Sequence, residues 1–520
     1  MLPQILAVLA IISAQSCLAS LVTQGPWIVN STTGVRVRLR CVNWYGAHQE
    51  LFVVGGLELR SVSELTNSIK STGANCVRIP YSIEMVKYNP VVPAHAIAGI
   101  SQADLCNATA RALDVMDCVV RHLQARGILI ILNNHNSWGT WVGANAEKHD
   151  QGLWDLPGYS VEDWIQSLEA LARRYRVAGF DLRNEIHDQD GKRITWGESQ
   201  DLRTDWLAAS TAAYERIRSI DPEPLAIVGG LCWNTDLRAM AKRVGPLRAF
   251  NDKKLVYTVH VYTFSFWWTE NDDMVTRILT PALAAASVVA LAASAACFAL
   301  THARQTAANP GKHSYKQLEQ QKQEPLAPIP AFAMILAILG TSLVFHAGWL
   351  ALSASFSDVS RAAGCSTVAA DAQWLVVASA VLVSISGLCL LCLPCVLHRL
   401  TCVFVLGCTC LWLGLLLLSL SLTGFYLSTD TAYHDSLGLW ALQDRAVPVW
   451  VSEFGTGRPS EWKFRLIWDF IRNKYDLDFA YWAFNGRAWK YNEWGSEPFG
   501  LMDDEYSTWR LPGLMKDVFS

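Results

Sequence analysis

Charge is scarce in this chain. Asp, Glu, Lys and Arg make up 17% of its 520 residues, and they balance to a formal net charge of −3. Lys and Arg gather into no basic block, so the clustered cationic face that binds phosphate backbones is missing and a nucleic-acid partner is excluded. No HExxH, P-loop or dinucleotide fingerprint occurs, so neither a metal nor a nucleotide cofactor is implied. What the chain has instead is apolar mass: 51% of it is hydrophobic, enough for one barrel-sized domain and a second module.

Part of that mass sits at the start. Ile5 to Ile12 is an apolar core, Cys17-Leu18-Ala19 a small-residue end, and the segment before the core has no Lys or Arg. The core and the small-residue end make residues 1–19 read as a secretory signal peptide, although the missing positive charge leaves an uncleaved anchor as the alternative. The cysteines agree with export: Cys41, Cys76, Cys106, Cys118 and Cys232 lie outside the apolar runs, and any pairing among them needs an oxidising compartment, with connectivity left open. The sequons at Asn30 and Asn107 point the same way and make a glycoprotein the expectation.

Between residues 278 and 426 come four apolar runs, about 278–300, 329–352, 374–397 and 402–426. Each is near the ~20 residues that cross a hydrocarbon core, so the segment reads as a four-helix transmembrane insert in contact with membrane lipid. Arg304, Lys312, Lys316 and Lys322 fall in its first connection and His398 and Arg399 in its third, which is the positive-inside pattern. The expectation is a multi-pass membrane protein with residues 20–277 and 427–520 together on the extracellular or lumenal side. Cys389, Cys392 and Cys395 read as packing or palmitoylation sites rather than a metal motif, lacking polar support around them.

Outside the insert, strand-like runs alternate with helical patterns. Strands are expected near 37–41, 75–79, 128–132, 180–182, 226–229, 255–259, 449–451 and 479–482, and Ser61-x-x-Glu64 and Ser160-x-x-Asp163 read as helix-opening caps. Eight such strands imply an α/β fold, a parallel (β/α)8 TIM barrel with its chemistry at the C-terminal strand ends. Polar residues collect there: Asn43-Trp44, Arg78, Asn133-Asn134-His135, Asn184-Glu185, His260-Val261-Tyr262, Glu453, and Trp482 with Asn485 beyond. Two glutamates at strand ends are what retaining glycoside cleavage uses, one to protonate the leaving oxygen and one to attack the sugar. Of the 22 Trp, those at 44, 138, 141, 267, 268 and 489 fall near strand ends or following loops, where indole faces pack on sugars.

Asn184-Glu185 with Glu453 in Ser452-Glu453-Phe454-Gly455, joined by Arg78, His135, His260, Tyr262 and Trp482, resembles glycoside hydrolase family 5, a cellulase and endoglucanase family. The resemblance covers about residues 25–270 and 430–515. It implies Glu185 as general acid/base and Glu453 as nucleophile. Arg78 and Tyr262 would hold Glu453, Asn184 the sugar 2-hydroxyl, His135 and His260 the sugar or the glutamates, and Trp482 the floor beneath the sugar. The expected activity is hydrolysis of a β-linked glucan-type polysaccharide by double displacement, without cofactor. A transglycosylase, a glucosylceramide-type glycolipid hydrolase and a silent glycan-binding or sensing protein keep the same residues. Linkage specificity and oligomeric state are left open.

Overall fold

In the computed structural model the described residues are 20–100, 110–141, 151–242, 253–262, 447–460, 462–490 and 492–519. Two four-residue strands, β1 (Leu21–Gln24) and β2 (Trp27–Asn30), pair antiparallel at the start. Leu21 and Ile28 drop from this hairpin into an apolar cluster with Leu39, Ala178 and Leu225, residues at or just before the starts of barrel strands. The hairpin thus closes the end of the barrel opposite the chemistry.

The barrel strands are β3 (Arg40–Asn43), β4 (Cys76–Ser82), β5 (Leu129–Asn136), β6 (Gly179–Asp181), β7 (Leu225–Gly229), β8 (Leu255–His260), β9 (Val449–Phe454) and β10 (Asp478–Tyr481). They close in the order β10-β3-β4-β5-β6-β7-β8-β9, every pair parallel, with Phe479 opposite both Arg40 and Val451. All eight expected strands are present, so the fold is a (β/α)8 barrel. They were legible because parallel strands buried on both faces read as nearly continuous apolar runs. Boundaries move: β3 starts at Arg40 rather than Val37, and β5 continues four residues past Leu132 through its polar tail. A last hairpin, β11 (Arg487–Lys490) and β12 (Glu493–Ser496), follows β10.

Both expected capping boxes form. Ser61 opens the helix Val62–Ser71 with Glu64 reaching back, and Ser160 opens Val161–Arg174 with Asp163. Between the helices and the barrel, Trp154, Trp164 and Trp206 pack with ring centroids 4.8–5.8 Å apart, so several tryptophans serve the core rather than a cleft. Trp44 joins them: it is fully buried and its Nε1 donates to the Gly55 carbonyl. A disulfide joins Cys41 to Cys76, which face each other on β3 and β4 with Cα atoms 4.3 Å apart.

The chain separates into two compact units, Met1–Ser265 with Thr429–Ser520, and Phe266–Ser428. The four apolar runs, the leader at 1–19, Asn107, Trp267 and Trp268 lie outside the described residues. The expectation of a multi-pass membrane protein with an outward catalytic domain is corrected. No helix among the described residues is long and apolar enough to cross a membrane. The longest described helix, Trp206–Ile220, has 15 residues, about 22 Å of rise against the ~30 Å of a hydrocarbon core.

Candidate active site

The C-terminal side of the barrel brings all eight expected residues into one cluster, seven of them buried and Glu185 partly exposed. β4 delivers Arg78, β5 His135, β8 His260 with Tyr262 two residues on, and β9 Glu453. Asn184 and Glu185 follow β6, and Trp482 follows β10. Glu185 takes a left-handed φ of +40°, which turns the chain sharply just past the strand.

Arg78 is the hub. Its guanidinium is wholly buried and donates to four acceptors: Nη1 to Glu453 Oε1 at 2.6 Å and Asn43 Oδ1 at 2.9 Å, Nη2 to Asn184 Oδ1 at 2.9 Å, and Nε to Asp181 Oδ2 at 2.8 Å. A buried cation demands compensation, and the two carboxylates supply it. On the other side of Glu453, the Tyr262 hydroxyl donates to Oε2 at 3.1 Å. The Glu453 carboxylate is therefore fixed from both oxygens.

His260 stands between the two glutamates. Its Nδ1 lies 2.8 Å from Glu185 Oε1 and 3.6 Å from Glu453 Oε2. Burial lowers the imidazole to about 4, against the pull of Glu453, so it is neutral at pH 7, and one hydrogen bond joins its Nδ1 to the Glu185 carboxyl. His135 is oriented by Asn133, whose Oδ1 lies 2.8 Å from Nδ1, leaving Nε2 to face the Asn184 amide at 3.4 Å. Burial holds His135 well below the ordinary histidine value as well.

Burial pushes the Glu185 carboxyl up to about 7, with the charges of His187 and Arg78 pulling it back. Burial also raises Glu453, while His260 and Arg78 oppose the rise. The difference in surroundings is plain: Glu453 has a guanidinium at 2.6 Å, whereas the ring in contact with Glu185 is the neutral His260 imidazole at 2.8 Å. Of the two, Glu185 is the one placed to carry a proton near neutrality. One donor atom from each of Glu185, His260 and Glu453 lies within 4.8 Å of the others. These donor types suit a divalent cation, and a close pair of carboxyl groups equally suits acid–base and nucleophilic chemistry with no ion.

Sequence reading did not single out Asp181, Tyr45 or His48. Asp181 lies inside an apolar strand and is fully buried, and a carboxylate in such a run is itself a sign of a buried partner. Tyr45 stacks on Trp482, centroids 4.8 Å apart and planes 8° from parallel, and His48 packs on His135 at 4.3 Å. Gly46 allows this loop its path, with φ at +131° and the Val53 carbonyl where a Cβ would stand.

The sequence profile of cellulase, glycosyl hydrolase family 5, matches residues 40–299, half of the chain. The chain belongs to glycosyl hydrolase family 5. Within curated relatives it is similar to a glycosyl hydrolase 5 family protein of Chamaecyparis obtusa, 29% identical over 276 residues, covering 50% of this chain and 47% of the relative. It is also similar to an endoglucanase of Paenibacillus polymyxa, 30% identical over 216 residues, covering 41% of this chain and 50% of the relative. The chain thus spans about half the length of the curated relatives it matches. Among solved structures, an endocellulase of Pyrococcus horikoshii in complex with cellotetraose has a similar fold, with a TM-score of 0.55, 18% identity, and coverage of 96% of this chain and 98% of that one. The catalytic domain of the major endoglucanase of Xanthomonas campestris aligns at a TM-score of 0.54 and 16% identity, covering 96% and 99%.

Proposed function

We propose that this protein is a retaining β-glycosidase of the endoglucanase type that cleaves a β-linked glucan by double displacement. The observation that carries the reading is the spacing of Glu185 and Glu453, whose nearest donor oxygens lie within 4.8 Å. Retaining enzymes hold their carboxyl groups about 5–5.5 Å apart, and inverting enzymes about 6.5–9.5 Å to admit a water. The endoglucanase relatives and the cellotetraose bound by a structural neighbour support a glucan as substrate.

In the first step, Glu453 attacks the anomeric carbon while protonated Glu185 gives its proton to the departing glycosidic oxygen. The products are a covalent glycosyl ester on Glu453 and the shortened glucan carrying a free hydroxyl. In the second step, Glu185, now ionised, takes a proton from water as that water attacks the same carbon, which frees Glu453 and retains the β configuration. Arg78 and Tyr262 hold the Glu453 oxygens in line, and Asn184, fixed by Arg78, faces the sugar 2-hydroxyl. His260 orients the Glu185 carboxyl, His135 borders the sugar, and Trp482 lies under it.

The test is release of reducing ends from β-1,4-glucan, β-1,3-glucan, mannan and glucosylceramide by the whole protein, beside Glu185→Gln and Glu453→Gln. Activity on a β-glucan that both substitutions abolish is the expected result. Cleavage of glucosylceramide alone would turn the reading to a glycolipid hydrolase. Silence from folded protein would contradict the enzyme reading and leave a glycan-binding role.

A further inference from the structure

Arg183 and His187 stand two positions before and two after Glu185, and both grip one strip of backbone. Arg183 is wholly buried, and its Nη2 donates to the carbonyls of Gln151 and Leu153 at 2.9 and 2.7 Å. The His187 backbone N–H donates to the Gly152 carbonyl between them at 3.2 Å. The segment that carries Glu185 is thereby tied to the stretch before the next helix, Val161–Arg174, on the β5 side. On the β7 side, Cys232, Trp233 and Asn234 take left-handed φ values of +53°, +60° and +56° in succession. Non-glycine residues hold such a backbone only where their surroundings over-determine it. Here the Trp233 backbone N–H donates to the Ile186 carbonyl at 2.9 Å, next to Glu185.

The His187 ring touches both neighbours. It is 4% exposed and lies flat on the Trp233 indole, with centroids 3.4 Å apart and planes 11° from parallel. A Cβ at residue 152 would stand 2.6 Å from its Cδ2 and 2.7 Å from its Nε2, so only glycine lets the chain pass this close. The ring's Nδ1 lies 2.6 Å from the Glu185 carbonyl oxygen. A carbonyl only accepts, so Nδ1 carries the proton and donates it. That bond ends on the residue whose own φ of +40° sets the direction of the carboxyl side chain.

We infer that His187 is a positioning residue for proton delivery: seated against Trp233 and Gly152, it fixes the Glu185 peptide and with it the aim of the Glu185 carboxyl. This rests on Glu185 acting as the acid of the reading above and deepens it. His187 touches neither sugar nor reacting atom and acts only through Glu185.

The test compares kcat/KM on a β-glucan, whose leaving oxygen needs a proton, with kcat/KM on dinitrophenyl β-cellobioside, whose leaving group departs without one. The main variant is His187→Phe, which keeps a ring on Trp233 and removes the donor, with its melting temperature checked against the parent. Its kcat/KM on glucan is expected to fall about 10- to 100-fold through kcat, as for a catalytic group moved by about 1 Å, while the dinitrophenyl value stays near the parent's. His187→Asn, which keeps a donor near the Nδ1 position, should recover much of the loss. Gly152→Ala, which drives a methyl group against the ring, is the second variant and should show the same split between substrates. Parent-like glucan cleavage by His187→Phe would overturn the inference. So would an equal loss on both substrates, which would make the ring a general support of the site. A Glu185→Gln variant that loses kcat/KM equally on both substrates would instead overturn the acid reading itself, and this inference with it.

Discussion

At the residue scale, the account turns on two glutamates made different by their neighbours. Glu185 titrates at about 7, so kcat/KM should fall as pH rises through about 7, when the acid loses its proton. Glu185→Gln should lower kcat about 10²–10⁴-fold on glucan and less on aryl glycosides, whose leaving groups need little protonation. The same shift has a stability consequence. A carboxyl whose folded value lies above its unfolded one favours the fold most at low pH, and that contribution is lost as pH rises toward 7. Chemical denaturation should therefore show Glu185→Gln gaining on the parent between about pH 4.5 and 7.5, by up to about 3 kcal/mol. Arg78→Met should cost about 3–5 kcal/mol in the same assay, because it strands Asp181 and Glu453 as buried charges without their cation. The eight cluster residues were legible because each is a polar or aromatic residue in or just past an apolar run that reads as a strand. The Arg78–Asp181 pair was not, since its partners are 103 residues apart and only closure of the sheet brings them together.

At the element scale, what was legible follows local physics. Ser61-x-x-Glu64 and Ser160-x-x-Asp163 close into capping boxes because all their partners lie within one turn, and Ser61→Ala should lower stability by about 1 kcal/mol in thermal denaturation. The hairpins β1–β2 and β11–β12 were missed. Each strand has four residues, too few for a periodic pattern to rise above its surroundings. The Cys41–Cys76 bridge was beyond sequence too, because pairing depends on the β3–β4 register. It closes a loop of 35 residues and lies two positions before Asn43 and Arg78, so it braces the strands that present both to Glu453. Replacing both cysteines by alanine should cost about 2–4 kcal/mol.

At the scale of the whole molecule, one barrel is assembled from two distant stretches of chain. β3 to β8 come before residue 263 and β9 and β10 after 446, and β10 seals the ring against β3. A chain stopped at residue 262 would expose β3 and β8 as bare edges and lack Glu453, so it should show no cooperative unfolding transition by circular dichroism. Tyr45 and Asn485 make the same point at the mouth of the barrel: their mutual hydrogen bonds join residues 440 apart, a contact no sequence window contains.

The measurement that bears most directly on the central claim is the anomeric configuration of the first product released from a β-glucan, followed by proton NMR before mutarotation. Double displacement through Glu453 and Glu185 predicts the β anomer first, with α appearing only as the sugar equilibrates. The α anomer as first product would contradict the account, because a single displacement by water needs carboxylates farther apart than these.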